Sequence, residues 1–156
     1  MANQIGRDEF VKNVIVLLKE TFESSGDKPF SIYLDGKVGV FETLEKLSAE
    51  QASRETNGNT IAAHAEHLRF YLVVLKNYMS GNREKVDWAE SWKMKTVNEV
   101  EWTDFQENLR QTYLETKDYL KSIRDWNEEQ IGGAIAIIAH TAYHFAAIRQ
   151  ILKAIK

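Results

Sequence analysis

The residues of this chain best suited to chemistry are its four histidines. They are His64, His67, His140 and His144, two in each of two short windows, and the rest of the chain has none. Neutral imidazole is a common protein ligand for transition-metal ions, and it also transfers protons near neutral pH. An imidazole buried without a partner costs free energy, so the rings in each window require a hydrogen-bond partner or a bound ion.

The C-terminal window lies in an apolar segment that we predict to be a helix from about Glu129 to Ala154. His140 and His144 are four residues apart, so a helix places both rings on one face, about 6 Å apart along its axis. Steps of three and four residues put them in one stripe with isoleucines, namely Ile137, Ile148, Ile151 and Ile155. We therefore expect the histidines to lie on the face that enters the core.

His64 and His67 lie in the first turns of a second predicted helix, which begins at Thr60 and ends near Met79. This helix is apolar on most of its faces, as expected of a helix that several neighbours bury. Residues three apart project within about 60° of each other, so spacing alone does not choose which of the two histidines joins the C-terminal pair.

Apolar residues at helical spacing predict two more long helices. One runs from about Gln4 to Ser24, where a polar segment containing Pro29 stops it. The other is marked by seven residues, Trp102, Phe105, Leu109, Tyr113, Thr116, Leu120 and Ile123. The first two connections, of roughly 35 and 20 residues, are long for helix bundles. Because no alternating strand pattern occurs, we predict an all-α fold, a four-helix bundle with long crossover connections.

Short sequence patterns predict local structure within the two long connections. In the first, Asp35-Gly36 indicates a turn, the apolar residues from Val40 to Leu47 indicate a short helix, and Ser48 with Gln51 has the pattern of a capping box. In the second, Trp88 and Trp92 are expected to cover an edge of the core more readily than to line a pocket.

The composition of the chain argues against several classes of partner and site. The net charge of −3 and the lack of a basic face argue against nucleic acid, and we expect neither a membrane partner nor a location outside the cytoplasm. The absence of cysteine excludes disulfides, a thiolate nucleophile and any zinc site built on sulfur. The length suits one domain spanning residues 1–156.

Three imidazoles converging from two helices make a good site for zinc, nickel or another borderline divalent ion. Such a site leaves a position for water or substrate, whereas four histidines would close it and argue for a structural role. Because the ligands must be deprotonated, we expect metal affinity to fall as the pH drops through the imidazole range. The sequence identifies no catalytic residue; Asp35, Asp87 and Glu90 are candidate general bases if their loops approach the site.

Both histidine windows resemble motifs of the DinB/YfiT-like family. Ala139-His140-Thr141-Ala142-Tyr143-His144 is similar to that family's fourth-helix His-x-x-x-His motif, and the segment from Thr60 to Leu68 is similar to its second-helix motif. The four-helix layout, the long first crossover and the total length are similar too. The resemblance implies a DinB-like fold and a divalent ion, zinc or nickel, held by His67, His140 and His144, with His64 a neighbour or outer-shell residue.

The resemblance also implies a function. It implies a metal-dependent enzyme that acts on a small-molecule substrate such as a low-molecular-weight thiol and forms a homodimer. An ion in this site could support a hydrolase-like reaction by lowering the pKa of water, or a thiol-dependent S-transferase-like reaction by holding a thiolate. The resemblance slightly favours thiol transfer. Two non-enzymatic alternatives stay open. One is a stress-related helical dimer with structural histidines, and the other is a small-ligand binding module lined by tryptophan and tyrosine.

Overall fold

The computed structural model describes residues 6–24, 31–35 and 38–155. The regular secondary structure of these residues is entirely helical, with no β-strand. An isolated bridge joins Thr56 and Asn59. The helices are α1 (Arg7–Glu23), α2 (Val40–Glu45), α3 (Ala49–Ser53), α4 (Ile61–Met79), α5 (Glu99–Ser122) and α6 (Glu128–Ile155), with a short 3-10 helix (Trp88–Trp92) between α4 and α5. The predicted all-α class is confirmed for these residues.

Several predicted boundaries agree with the structure. Ser48 and Gln51 form the expected capping box at the start of α3, and the Thr60 side chain caps α4. The third long helix begins earlier than its apolar pattern indicates, because Asn98 caps it with Glu101 as the reciprocal partner. The predicted helix start at Gln4, the stop at Pro29 and the turn residue Gly36 lie outside the described residues.

The core forms where the four long helices meet. Helix α4 packs against α5 and α6, and α1 packs against the same two helices. All seven residues that mark the third predicted helix are buried: Trp102, Phe105, Leu109, Tyr113, Thr116, Leu120 and Ile123. The four isoleucines of the C-terminal stripe are buried too. Helical periodicity therefore identified the inward faces correctly.

The start of α4 is held in place by the connection that precedes α5. The Thr60 hydroxyl accepts from the backbone N–H of Ala63 at 3.1 Å and donates to the carbonyl oxygen of Lys95 at 2.9 Å. The 3-10 helix packs on α4 as well, and the Asp87 carboxylate caps it by accepting from the Ala89 N–H. These two contacts fix the first turns of α4, which carry His64 and His67.

A buried carboxylate attaches the first connection to α1. Glu20 accepts three backbone N–H groups, from Ile32 at 2.9 Å, Tyr33 at 2.9 Å and Leu34 at 2.8 Å. Several backbone donors stabilise an ionised carboxylate that would otherwise be costly to bury. The segment therefore stays packed on α1 without regular secondary structure.

Helix α6 is long and apolar enough to cross a membrane, by length and composition alone, with a mean hydropathy of 1.5 over its best 18-residue window. A core helix passes the same test, and α6 packs against α1 and α4. Only 39% of that window is buried, however, so α6 also has an uncharged face that these contacts leave exposed.

We predict that Gly39→Ala destabilises the fold and that Gly132→Ala does not. A Cβ on Gly39 would lie 2.6 Å from both the carbonyl oxygen of Phe22 and the backbone nitrogen of Ser24, where α1 ends against α2. Backbone cannot move aside easily, so we expect a loss of about 1–3 kcal/mol in the free energy of unfolding.

Gly132 is the matched control, because a Cβ there meets nothing within 4 Å. Alanine at this helical position should raise stability by about 0.5–1 kcal/mol. Urea titration of both variants measures the difference, and equal stabilities would contradict the close packing at Gly39.

Candidate metal centre

Three of the four histidines bring ligand atoms together between α4 and α6. One nitrogen from each of His67, His140 and His144 lies within 4.8 Å of the others. The Nε2 atoms of His67 and His140 are 3.2 Å apart. Two imidazole nitrogens bound to one tetrahedral zinc ion are about 3.3 Å apart, so this pair already has suitable spacing.

His64 lies outside that group but contacts it. Its Nδ1 atom is 3.0 Å from Nδ1 of His144, which is hydrogen-bond distance. Between two neutral imidazoles, one nitrogen donates the proton and the other accepts it. The structure therefore places His64 behind His144, so a closed four-histidine site is not assembled among the described residues.

A serine of the 3-10 helix contacts the third ligand candidate. Nδ1 of His67 is 2.7 Å from Ser91 Oγ, and that hydroxyl donates its hydrogen to the carbonyl oxygen of Trp88 at 2.6 Å. Ser91 is fully buried. Sequence reasoning missed it, because a serine in an irregular link carries no periodic signal; only the neighbouring Trp88 and Trp92 marked the segment.

Aromatic rings enclose the histidines. The Trp92 ring stacks on His67 at 4.1 Å between centroids, and the Tyr71 ring stacks on His140 at 3.5 Å. Trp88 lies beside His67 and Tyr71. The two tryptophans of the second connection were expected at an edge of the core; the structure places both against the histidine cluster, where they limit the access of water.

Burial keeps the cluster neutral. Desolvation, followed by the repulsion of neighbouring imidazoles, lowers the pKa of His144 to about 3, and desolvation with the nearby His67 ring lowers the pKa of His140 to about 4. The pKa values of His64 and His67 are lowered as well, mainly by burial. At pH 7 the rings are therefore neutral, each with one nitrogen that carries no proton, as metal ligation requires.

Acidic residues near the cluster have other partners. Glu66 pairs with Arg69 through both carboxylate oxygens. Asp87 caps the 3-10 helix, and Glu90 pairs with Lys93. Within the described part of the chain, none of these carboxylates joins the group of ligand atoms, and Asp35 lies exposed in its turn.

Within the described part of the chain, no tyrosine hydroxyl is a hydrogen-bond partner of the histidine rings. Tyr71 offers its ring face to His140, Tyr113 donates to Glu23, and Tyr143 is 73% exposed. The Nδ1 atom of His140 is buried and has no hydrogen-bond partner among the described residues. Because Nδ1 has no partner, the tautomer of His140 depends on the group that contacts its Nε2 atom.

No protein-family model, curated protein or solved structure matches this chain. The resemblance to the DinB/YfiT-like family therefore stays a prediction that rests on the two histidine motifs.

We predict that His140→Gln, His144→Gln reduces the pH dependence of stability in the metal-free protein. Unfolded histidines have pKa values near 6.5, whereas the folded values are lower, so below pH 7 the unfolded chain binds protons that the folded chain does not. The free energy of unfolding must then decrease as the pH falls from 7 towards 4.

Urea titrations at pH 7 and pH 5 with a chelator measure this effect. The parent should lose more stability over the interval than the double variant, while Gln150→Ala, an exposed change on the same helix, should behave like the parent. Parallel curves for parent and double variant would contradict the lowered pKa values.

Proposed function

We propose that this protein binds a divalent metal ion through His67, His140 and His144. The observation that carries the proposal is the meeting of three neutral imidazole nitrogens within 4.8 Å of one another in a largely buried cluster. His67 and His144 are only 8% and 5% exposed, so the ligands come from packed helices whose side chains are held in position. Metal sites in helical proteins are commonly built from facing helices in this way.

The donor set favours zinc or nickel. Imidazole suits these borderline ions, whereas calcium and magnesium prefer oxygen ligands, and no carboxylate joins the group in the described residues. Three neutral ligands leave the full charge of the ion in place and at least one position open. An open position is typical of catalytic sites, whereas structural zinc sites are closed by four protein ligands.

On this basis we propose a DinB-like four-helix bundle, formed by α1, α4, α5 and α6, that acts as a metal-dependent enzyme on a small molecule. A divalent ion in such a site lowers the pKa of bound water or stabilises a thiolate, which suits hydrolysis or thiol transfer respectively. The chain's own contribution is to orient the ligands and, through Trp88, Trp92 and Tyr71, to limit water around them. The catalytic residues and the substrate are not assigned.

A structural role for the histidines is the second candidate, because the rings also satisfy one another. His64 bonds to His144, His67 bonds to Ser91, and Tyr71 and Trp92 cover two of the rings. Such a cluster would fill the gap between α4 and α6 without an ion. The two candidates differ in whether the protein takes up metal.

A homodimer in the cytoplasm remains part of the proposal. The exposed face of α6 supports the dimer. On this face Ile135 and Tyr143 are 55% and 73% exposed, and Ala139 and Ala146 are exposed near them. No charged residue occurs from 130 to 148. Light scattering distinguishes an 18.0 kDa monomer from a dimer of twice that mass.

We predict near-stoichiometric zinc or nickel in tag-free protein and its loss in His140→Ala, His144→Ala. The double variant removes two of three ligands, and one imidazole does not hold a divalent ion tightly. Elemental analysis after gel filtration measures the ion-to-chain ratio, and Lys153→Ala, an exposed change on the same helix, should retain the parental content.

Metal-free parent protein that also takes up no zinc or nickel on titration would contradict the proposal and favour the structural role. Equal metal content in the parent and the double variant would place the ion elsewhere.

A further inference from the structure

We propose that Ser91 and His64 are positioning residues, which hold His67 and His144 in the tautomer whose Nδ1 carries the proton and whose Nε2 offers its lone pair. This inference rests on the proposed metal site and deepens it, because it names the residues that orient two of the three ligands. Neither residue contacts the ion; each acts through the ring that it bonds.

The position of one hydrogen fixes the tautomer of His67. The Ser91 hydroxyl has a single hydrogen, and the carbonyl oxygen of Trp88, 2.6 Å away, can only accept it. Ser91 Oγ must therefore accept from Nδ1 of His67 at 2.7 Å. A neutral His67 with its proton on Nδ1 has an unprotonated Nε2, and this is the atom that lies 3.2 Å from Nε2 of His140.

His64 completes the same arrangement at His144. Their Nδ1 atoms are 3.0 Å apart, and a neutral pair shares one proton between them. When Nδ1 of His144 donates, His64 accepts at Nδ1 and keeps its own proton on Nε2, while Nε2 of His144 is left free to bind an ion. Metal-ligating histidines usually donate their second ring nitrogen to such an outer partner.

The structure holds Ser91 firmly enough for this role. It lies fully buried in the 3-10 helix, which the Asp87 carboxylate caps and which packs on α4, and its hydroxyl is shielded from competing water. Trp92, the next residue, stacks on the ring that Ser91 orients. One short helix therefore sets both the tautomer and the plane of His67.

We expect Ser91→Ala to weaken zinc and nickel binding about 10–100-fold, the range typical of removing an outer partner of a ligand. Ser91→Thr keeps the hydroxyl and should stay closer to the parent than Ser91→Ala. His64→Ala should weaken binding in the same direction. Competition titration with a chromophoric chelator measures each affinity.

Ser53→Ala is the matched control. The Ser53 hydroxyl also makes two hydrogen bonds, both to the backbone of Val97, so its loss costs comparable local stability in a part of the chain that does not contact the histidines. Its metal affinity should equal that of the parent.

Long-range proton–nitrogen NMR of the metal-free protein at pH 7 tests the tautomer itself. We expect His67 to carry its proton on Nδ1 in the parent and to lose that preference in Ser91→Ala. A proton on Nε2 of parental His67, or an unchanged affinity in both Ser91→Ala and His64→Ala, would overturn this inference while leaving the metal site intact. Failure of the parent to bind any ion would instead overturn the proposed function, whatever the tautomer.

Discussion

The packing of α4 against α6 brings the four histidines together, and the other features of the cluster follow from it. Both helices are apolar over most of their surface, so their contact excludes water, and each contributes two histidines to the excluded region. A ring nitrogen of a desolvated imidazole costs free energy when it has no partner. The Thr60 side chain ties the start of α4 to the connection that precedes α5. The capped 3-10 helix packs on α4 and supplies Ser91 as one such partner.

Burial links the stability and the protonation of the histidine cluster to the metal binding that we propose for it. The desolvation that lowers the pKa values of His140 and His144 keeps both rings neutral at pH 7, so an ion would not compete there with the second proton of an imidazolium. The sequence alone predicted competition from protons in the ordinary imidazole range, whereas the lowered pKa values move that competition to more acidic solution. The cost is that a metal-free cluster loses stability in acid and leaves His140 Nδ1 without a hydrogen bond.

The features that the sequence predicted are those whose residues repeat at helical spacing. Steps of three and four residues located the buried faces of α5 and α6, and they placed His140 and His144 side by side. Spacing left His64 and His67 undecided, because both project towards α6. The packed structure places His67 with His140 and His144 in the group of nitrogens that could hold an ion, and it places His64 behind His144. Ser91 was not predictable, since it meets His67 through a contact between a short irregular segment and a helix.

Anomalous X-ray diffraction from crystals of protein supplied with zinc or nickel would show whether the three histidines bind an ion. Data collected on both sides of the absorption edge locate the ion without reference to any assumed site. Binding through the three histidines predicts a single strong peak per chain at bonding distance, about 2.0–2.1 Å, from one nitrogen of each of His67, His140 and His144. No peak between these rings in crystals that contain the ion, or a peak bound by other residues, would contradict it.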